Sequence, residues 1–379
     1  MQRIIGFLTA AAMLGMPASA APPPVPAEIP IAMLVDLSSG QVLYQRNSDR
    51  RFVPASITKA MTVLSAFDLM ERGQLKPTQT FTFSKAAAKD WQRTGSTMFL
   101  EAGQSATVHD LLLGITTVSA NDASVVLGEG VAGSIDGWAK LMNANARALG
   151  MTQSHFGNPN GYMDGARTFT TARDLATLGR ALTLDHSTLY HRYFGHRSLR
   201  ANGIAQDNHD PLTGRVPGAD GIKTGFTNQA GYGVLGSAQR GDRRLVVVVA
   251  GAHTGRLRDR TARELIEWGF GDFASKPLFA RNAIVGSAQV QDGSRLEVPL
   301  RSTHAISYAV PTGKRSDVTL AIAYEGPLKA PVKAGEPVAE LIISAEGMEP
   351  SRVQLVAAEG VAKAGPFRRV VNAFAEVFR

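Results

Sequence analysis

Apolar and polar positions change rhythm several times along this chain, and each change predicts a different kind of element. Ile31-Ala32-Met33-Leu34-Val35 and Val42-Leu43-Tyr44 flank Ser38-Ser39-Gly40, which predicts two short strands joined by a tight turn at the start of an antiparallel sheet. From about Pro54 to Leu189 the spacing becomes mostly helical, with alanine-rich stretches and with Met61, Leu64 and Leu69 near one helical face. Tyr232 to Ala250 returns to strand character around a turn at Arg240-Gly241-Asp242. Thr261 to Phe270 then predicts a closing helix, with Leu265, Ile266 and Trp268 on or near its apolar side. From about Lys276 to Ala358, short β-prone runs such as Ile284-Val285 and Val338 to Ile343 alternate with turn pairs such as Asp292-Gly293 and Thr312-Gly313. That texture predicts a small all-β domain, read as a rigid spacer because it holds no catalytic-looking cluster.

The two ends follow other patterns. Arg3, an apolar stretch from Ile4 to about Leu14, then Pro17 and Ala18-Ser19-Ala20 form the three zones of a secretory leader, with cleavage expected after Ala20. The apolar stretch falls short of the roughly 20 residues a bilayer core demands. Ala21-Pro22-Pro23-Pro24-Val25-Pro26 predicts an extended, hydrogen-bond-poor linker over 21–30, with the fold starting after it. The main domain is expected over 31–275 and the all-β domain over 276–365. In the last segment, 366–379, Phe367, Val370, Val371, Phe374, Val377 and Phe378 share one helical stripe, opposite Arg368, Arg369, Asn372, Glu376 and Arg379. Such a helix is expected to lie on an anionic membrane surface.

A chain of 379 residues with 44% hydrophobic and 19% charged residues is long and apolar enough for two domains with cores. The formal charge of +8, or +7 once Arg3 leaves with the leader, favours acidic envelope polymers or anionic head groups. After export, nucleic acid is not an expected partner. The absence of cysteine excludes disulfides, thiol nucleophiles and cysteine-ligated metal.

Three short motifs carry the candidate chemistry. Ser56-Ile57-Thr58-Lys59 follows Pro54 at a predicted helix start and sets a hydroxyl one helical turn from an amine. A hydroxyl attacks at neutral pH only when a positioned base removes its proton. For Lys59 to be that base it must be uncharged for part of the cycle, which burial or a nearby cation such as Lys223 arranges. Ser119-Ala120-Asn121 follows the apolar run Leu111-Leu112-Leu113 and offers a second hydroxyl and a carboxamide. Lys223-Thr224-Gly225 precedes Phe226 on a predicted edge strand, where main-chain groups pair with an extended peptide and the ammonium and hydroxyl receive a terminal carboxylate. Each motif alone is also compatible with an ordinary cap or turn.

All three in this order resemble the motif set of the penicillin-recognising serine enzymes. Ser119-Ala120-Asn121-Asp122-Ala123-Ser124, Asn158-Pro159-Asn160-Gly161, Asp220-Gly221-Ile222-Lys223-Thr224-Gly225 and Glu267-Trp268-Gly269-Phe270 bring the chain closer to the serine-type D-alanyl-D-alanine carboxypeptidases among the low-molecular-mass penicillin-binding proteins. The resemblance implies an α/β (α+β) fold: an antiparallel sheet flanked by helices with a helical subdomain, followed by a small β-sandwich. It implies that Ser56 forms an acyl-enzyme, Lys59 deprotonates it, Ser119 and Asn121 assist proton transfer, and Lys223, Thr224 and Gly225 orient the substrate. The backbone N–H groups of Ser56 and Phe226 would form the oxyanion hole. Arg258, or Arg256 in its place, would help bind the terminal carboxylate.

The reaction so implied removes the terminal D-alanine from peptidoglycan stem pentapeptides, with no metal or organic cofactor and with β-lactam antibiotics as covalent inhibitors. The expected location is the periplasmic face of the inner membrane, held peripherally. A β-lactamase, a DD-endopeptidase and a non-enzymatic module that binds wall peptides or β-lactams are the rival readings. Against the first, no glutamate stands in a comparable loop near Asn158 to Gly165. Phe226 is a bulky residue where the family varies, and the loop carrying Tyr162-Met163-Asp164-Gly165 has no assigned form. Both leave substrate fine-tuning open.

Overall fold

A computed structural model describes residues 2–8 and 22–365, apart from 314–316 and 346–347. The chain divides into two compact units: one holds Pro22–Val35 and Tyr44–Gly269, the other Met1–Ala21, Asp36–Leu43 and Phe270–Arg379. The expected amphipathic tail over 366–379 lies outside the described residues.

The first unit is built on a five-stranded sheet. Its strands are β1 (Ile31–Asp36), β2 (Gln41–Arg46), β3 (Ala219–Thr227), β4 (Gly231–Arg240) and β5 (Arg243–Ala252), in the spatial order β2-β1-β5-β4-β3. The ladders β3/β4 and β4/β5 are antiparallel. Leu245 to Ala250 is buried without interruption, because β5 is the middle strand; a strand covered on both faces reads as a continuous apolar run rather than an alternating one. Helix Ala172–Arg180 brings Gly179 close to Val246 of that strand. At the sheet's other end β3 is an edge strand, so one side of its backbone has no partner strand among the described residues.

The helical part begins with a 3₁₀ turn, Ala55–Thr58, that runs into α1 (Lys59–Glu71). Further along come α2 (Val108–Thr117), α3 (Asn121–Ala132) and the helix Ile135–Ala148. Thr107 caps α2 by accepting from the Asp110 N–H, and Ser134 caps the last of these by accepting from Gly137. The closing helix, α4 (Gly255–Gly271), starts six residues before the predicted Thr261. Its opening carries Arg256, Arg258, Asp259 and Arg260, so the apolar periodicity that marks a helix appears only from Thr261 and Ala262, which are buried. Arg258 therefore sits within this helix and not in a stretch before it.

Pro22 to Pro30, expected as a linker, is packed. Val25 and Ile29 are buried, and the Arg46 guanidinium donates to the carbonyls of Pro26 (2.6 Å), Ile29 (2.9 Å) and Val25 (3.2 Å). Prolines remove N–H donors but leave carbonyls, and here an arginine supplies the missing partners.

The second unit is all-β. A seven-stranded sheet has the order Gln2–Leu8, Val318–Gly326, Pro337–Ala345, Ser351–Ala357, Glu297–Arg301, Ile284–Gln291, Leu328–Lys329, and a two-stranded ladder pairs Phe273–Phe279 with Ile306–Pro311. Val285, Val290, Val298, Leu300, Leu341, Ile343 and Leu355 are among the side chains of its core. The first strand falls within the expected leader and pairs antiparallel with Val318–Gly326. The turn between β1 and β2 also belongs here: buried Gln41 donates to the Ala309 carbonyl at 3.1 Å, and Ser351 donates to the Ser39 carbonyl at 2.8 Å.

Candidate active site

The 3₁₀ turn that carries Ser56 is clamped by glycine on two sides. On β3, a Cβ added to Gly225 would meet the Pro54 carbonyl oxygen at 2.4 Å. Gly161, at φ +71°, lies so close that an added Cβ would be 1.9 Å from the Ala55 carbonyl oxygen. Only a residue without a side chain allows either approach. Within the turn Ala55 has φ 48°, and across the site Ser119 has φ 61°. Both are non-glycine residues in the left-handed region, which costs free energy and recurs where a side chain must be aimed.

Lys59 is the centre of the site. It is fully buried, and its Nζ lies 2.9 Å from Ser56 Oγ, 2.7 Å from Asn121 Oδ1 and 2.8 Å from the Asn160 carbonyl oxygen. Burial pushes its pKa well below the ordinary lysine value, and the Lys223 charge pushes the same way; Asp122 opposes them. Asn121 is held in one orientation because its Nδ2 donates to the Thr94 carbonyl at 2.9 Å, leaving its oxygen to face the amine. Gly95 makes room for that amide, since a Cβ there would stand 2.7 Å from Asn121 Nδ2. Buried Asp122 accepts from the N–H groups of Met98, Leu100 and Ala123, tying the start of α3 to the chain before α2.

A cavity of about 420 Å³ opens onto this group. Ser56, Ser119 and Asn121 line it on one side, and Thr224, Gly225, Phe226 and Thr227 of β3 on the other, with Arg258 and His209 also in its wall. Lys223 is buried beside it and donates to the Thr224 carbonyl at 3.0 Å. Burial and the neighbouring Arg258 charge lower its pKa to about 7, against the opposing pull of Asp210. Arg258 donates to the Gly233 carbonyl at 2.8 Å and to Asp259 at 2.5 Å, and these two contacts hold it at the cavity. Arg256 is exposed and is not part of the wall, so of the two arginines named from sequence, the fold brings Arg258 to the site.

Two contributors were not singled out from the sequence. The Asn160 carbonyl is a main-chain group, and side-chain identity gives no hint of it; only the surrounding Asn158-Pro159-Asn160-Gly161 run pointed at that loop. Asn158 shapes it by accepting from the N–H groups of Asn160 (3.2 Å) and Gly161 (2.6 Å). His209, whose pKa is lowered by burial and then by Lys223, Arg258 and Lys59, belongs to no recognisable histidine set and is visible only in three dimensions.

Residues 17–254 match the family described as D-alanyl-D-alanine carboxypeptidase, and residues 273–363 match the penicillin-binding protein 5 C-terminal domain. The D-alanyl-D-alanine carboxypeptidase DacC of Escherichia coli is 34% identical over 89% of this chain and 85% of its own length. DacF of Bacillus subtilis is 31% identical over 88% of this chain and 86% of its own. Among solved structures, penicillin-binding protein 5 from Haemophilus influenzae superposes with a TM-score of 0.73 at 28% identity, covering 91% of this chain and all of that one. Penicillin-binding protein D2 from Listeria monocytogenes, solved in an ampicillin-bound form, matches 64% of this chain and 98% of its own, with a TM-score of 0.58 at 28% identity. The buried lysine against a clamped serine thus sits in a fold and a sequence that agree: the chain belongs to the D-alanyl-D-alanine carboxypeptidase family.

Proposed function

We propose that Ser56 is the nucleophile of a serine-type D-alanyl-D-alanine carboxypeptidase acting on peptidoglycan stem pentapeptides, with Lys59 as its general base. The three contacts of Lys59 Nζ carry this reading. Asn121 Oδ1 and the Asn160 carbonyl only accept hydrogen bonds, so a neutral amine directs its two N–H groups at them and turns its lone pair toward Ser56. The Ser56 hydroxyl proton then passes to Lys59 as Oγ attacks the carbonyl between the two D-alanines. The first N–H groups of the turn have no partner within it, and the Ser56 N–H, with the Phe226 N–H, receives the developing oxyanion. The departing amine takes a proton delivered through Lys59 and Ser119, and water hydrolyses the ester. Lys223, Thr224 and Arg258 hold the terminal carboxylate, and Gly225 lets the substrate backbone approach β3.

The same nucleophile accounts for covalent capture of β-lactams, as the ampicillin-bound relative supports. The leader expected over 1–20 and the apolar pattern of Phe367, Val370, Val371, Phe374, Val377 and Phe378 support a proposed location, after export, on the periplasmic face of the inner membrane. The direct test of the reaction is D-alanine release from a pentapeptide. Wild type is expected to release one D-alanine per peptide and Ser56→Ala none; peptide binding without release by wild type would leave only a binding module.

A further inference from the structure

A second cavity, of about 690 Å³, adjoins the active-site cavity and shares Phe226 and Tyr232 with it. These two rings stack, with centroids 4.1 Å apart and planes 26° from parallel, and stand as a wall between the two spaces. The second cavity lies at the far end of β3: its lining continues from Phe226 into Asn228, Gln229 and Ala230, and includes Arg50 and Arg51 but no aspartate or glutamate. Arg51 is held without being neutralised. Its Nη2 and Nε donate to Gln153 Oε1 at 2.7 and 3.0 Å, and its guanidinium lies 4.7 Å from the centre of the Phe169 ring. Arg50 is exposed and makes no ion pair among the described residues. The nearest acid in sequence, Asp49, is engaged by Arg173 at 2.7 Å.

The direction of the chain decides what reaches this cavity. An extended peptide added antiparallel to edge strand β3, with its terminal carboxylate at Lys223 and Thr224, runs its upstream residues past Phe226 and Thr227 toward Asn228. We propose that this second cavity is a binding subsite for the acidic residues upstream of the D-Ala-D-Ala end of the stem peptide, with Arg50 and Arg51 pairing with their carboxylates and the Phe226–Tyr232 stack guiding the chain over the wall. This rests on the reaction proposed above and adds a charge preference to it. The preference resides in the part of the substrate that is not cleaved, so it appears in the binding of the free enzyme and substrate and not in the ester hydrolysis step.

The test compares two pentapeptides identical except that the second residue is γ-linked D-glutamate in one and γ-linked D-isoglutamine, its α-amide, in the other, read as kcat/KM for D-alanine release. Wild type is expected to favour the acidic peptide by about two- to fivefold, the size that one solvent-facing ion pair supplies, and the preference should shrink with added salt. In Arg50→Gln/Arg51→Gln the ratio is expected to fall to about one, with Arg50→Gln alone intermediate. Removal of two distant charges, Lys140→Gln/Arg147→Gln, controls for net charge and should keep the wild-type ratio. Labelling of Ser56 by a fluorescent penicillin reports that each variant is folded. Equal ratios in wild type and the Arg50/Arg51 variants, or loss of the ratio in the control pair as well, would overturn the subsite. Absence of D-alanine release from either peptide by wild type would instead strike the proposed reaction itself.

Discussion

At the scale of single residues, two lysines set the pH behaviour in opposite senses. Lys59 works as a base only when neutral, so kcat/KM falls on the acid side as pH drops through its depressed pKa. In its proposed role Lys223 attracts the substrate carboxylate only when charged, and with a pKa of about 7 in the free enzyme it loses that charge as pH rises. The kcat/KM profile is therefore expected to be bell-shaped with an alkaline limb near pH 7. In Lys223→Arg that limb should vanish below about pH 10, because a guanidinium stays charged; an unmoved limb would show that another group titrates there. The stability effect has its own sign. The folded chain sheds the Lys223 proton near pH 7 while the unfolded chain keeps it to about 10.5, so stability rises with pH across that window. Ser56 and Lys59 were legible from sequence because an i, i+3 spacing at a helix start fixes their meeting. The Asn160 carbonyl and His209 were not, since their roles come from main-chain position and from folding distant segments together.

At the scale of elements, periodicity found strands of the sheet, the broadly helical region after Pro54 and the closing helix but misjudged where order begins. The run after Ala21 reads as a free linker because proline density suppresses strand and helix patterns, yet Arg46 satisfies its carbonyls and Ile29 is wholly buried. Ile29→Ala should therefore lower unfolding stability by about 2–5 kcal/mol, the cost of truncating a buried aliphatic side chain, read from the urea midpoint. A free linker would give no measurable change. The start of α4 was missed for a related reason: its first turns spend their side chains on Gly233, Asp259 and solvent instead of on the core. The edge position of β3, in contrast, followed from glycine in a strand beside a cationic residue, and the sheet order bears it out.

For the whole molecule, the sequence predicted a helix-flanked catalytic fold followed by an all-β domain, and the family matches cover both parts. What it did not predict is that the C-terminal unit is discontinuous and includes Asp36–Leu43. No local pattern reveals that a hairpin turn has partners near residues 309 and 351. Membrane association belongs to this scale as well. Among the described residues no helix is long and apolar enough to cross a membrane; the proposed attachment through the segment Phe367 to Phe378 is tested by removing it. Deleting 366–379 is expected to move the exported enzyme from the membrane pellet to the supernatant while penicillin labelling persists; continued sedimentation would discard the anchor.

The central claim, that a neutral Lys59 activates Ser56, is tested most directly by following penicillin acylation with intact-protein and peptide mass spectrometry in wild type, Ser56→Ala and Lys59→Gln. The account predicts a single penicilloyl group on the Ser56 peptide of wild type, none in Ser56→Ala, and acylation slowed by about 10²–10⁴-fold in Lys59→Gln. An adduct on another residue, or a folded Lys59→Gln that is acylated at the wild-type rate, would contradict it.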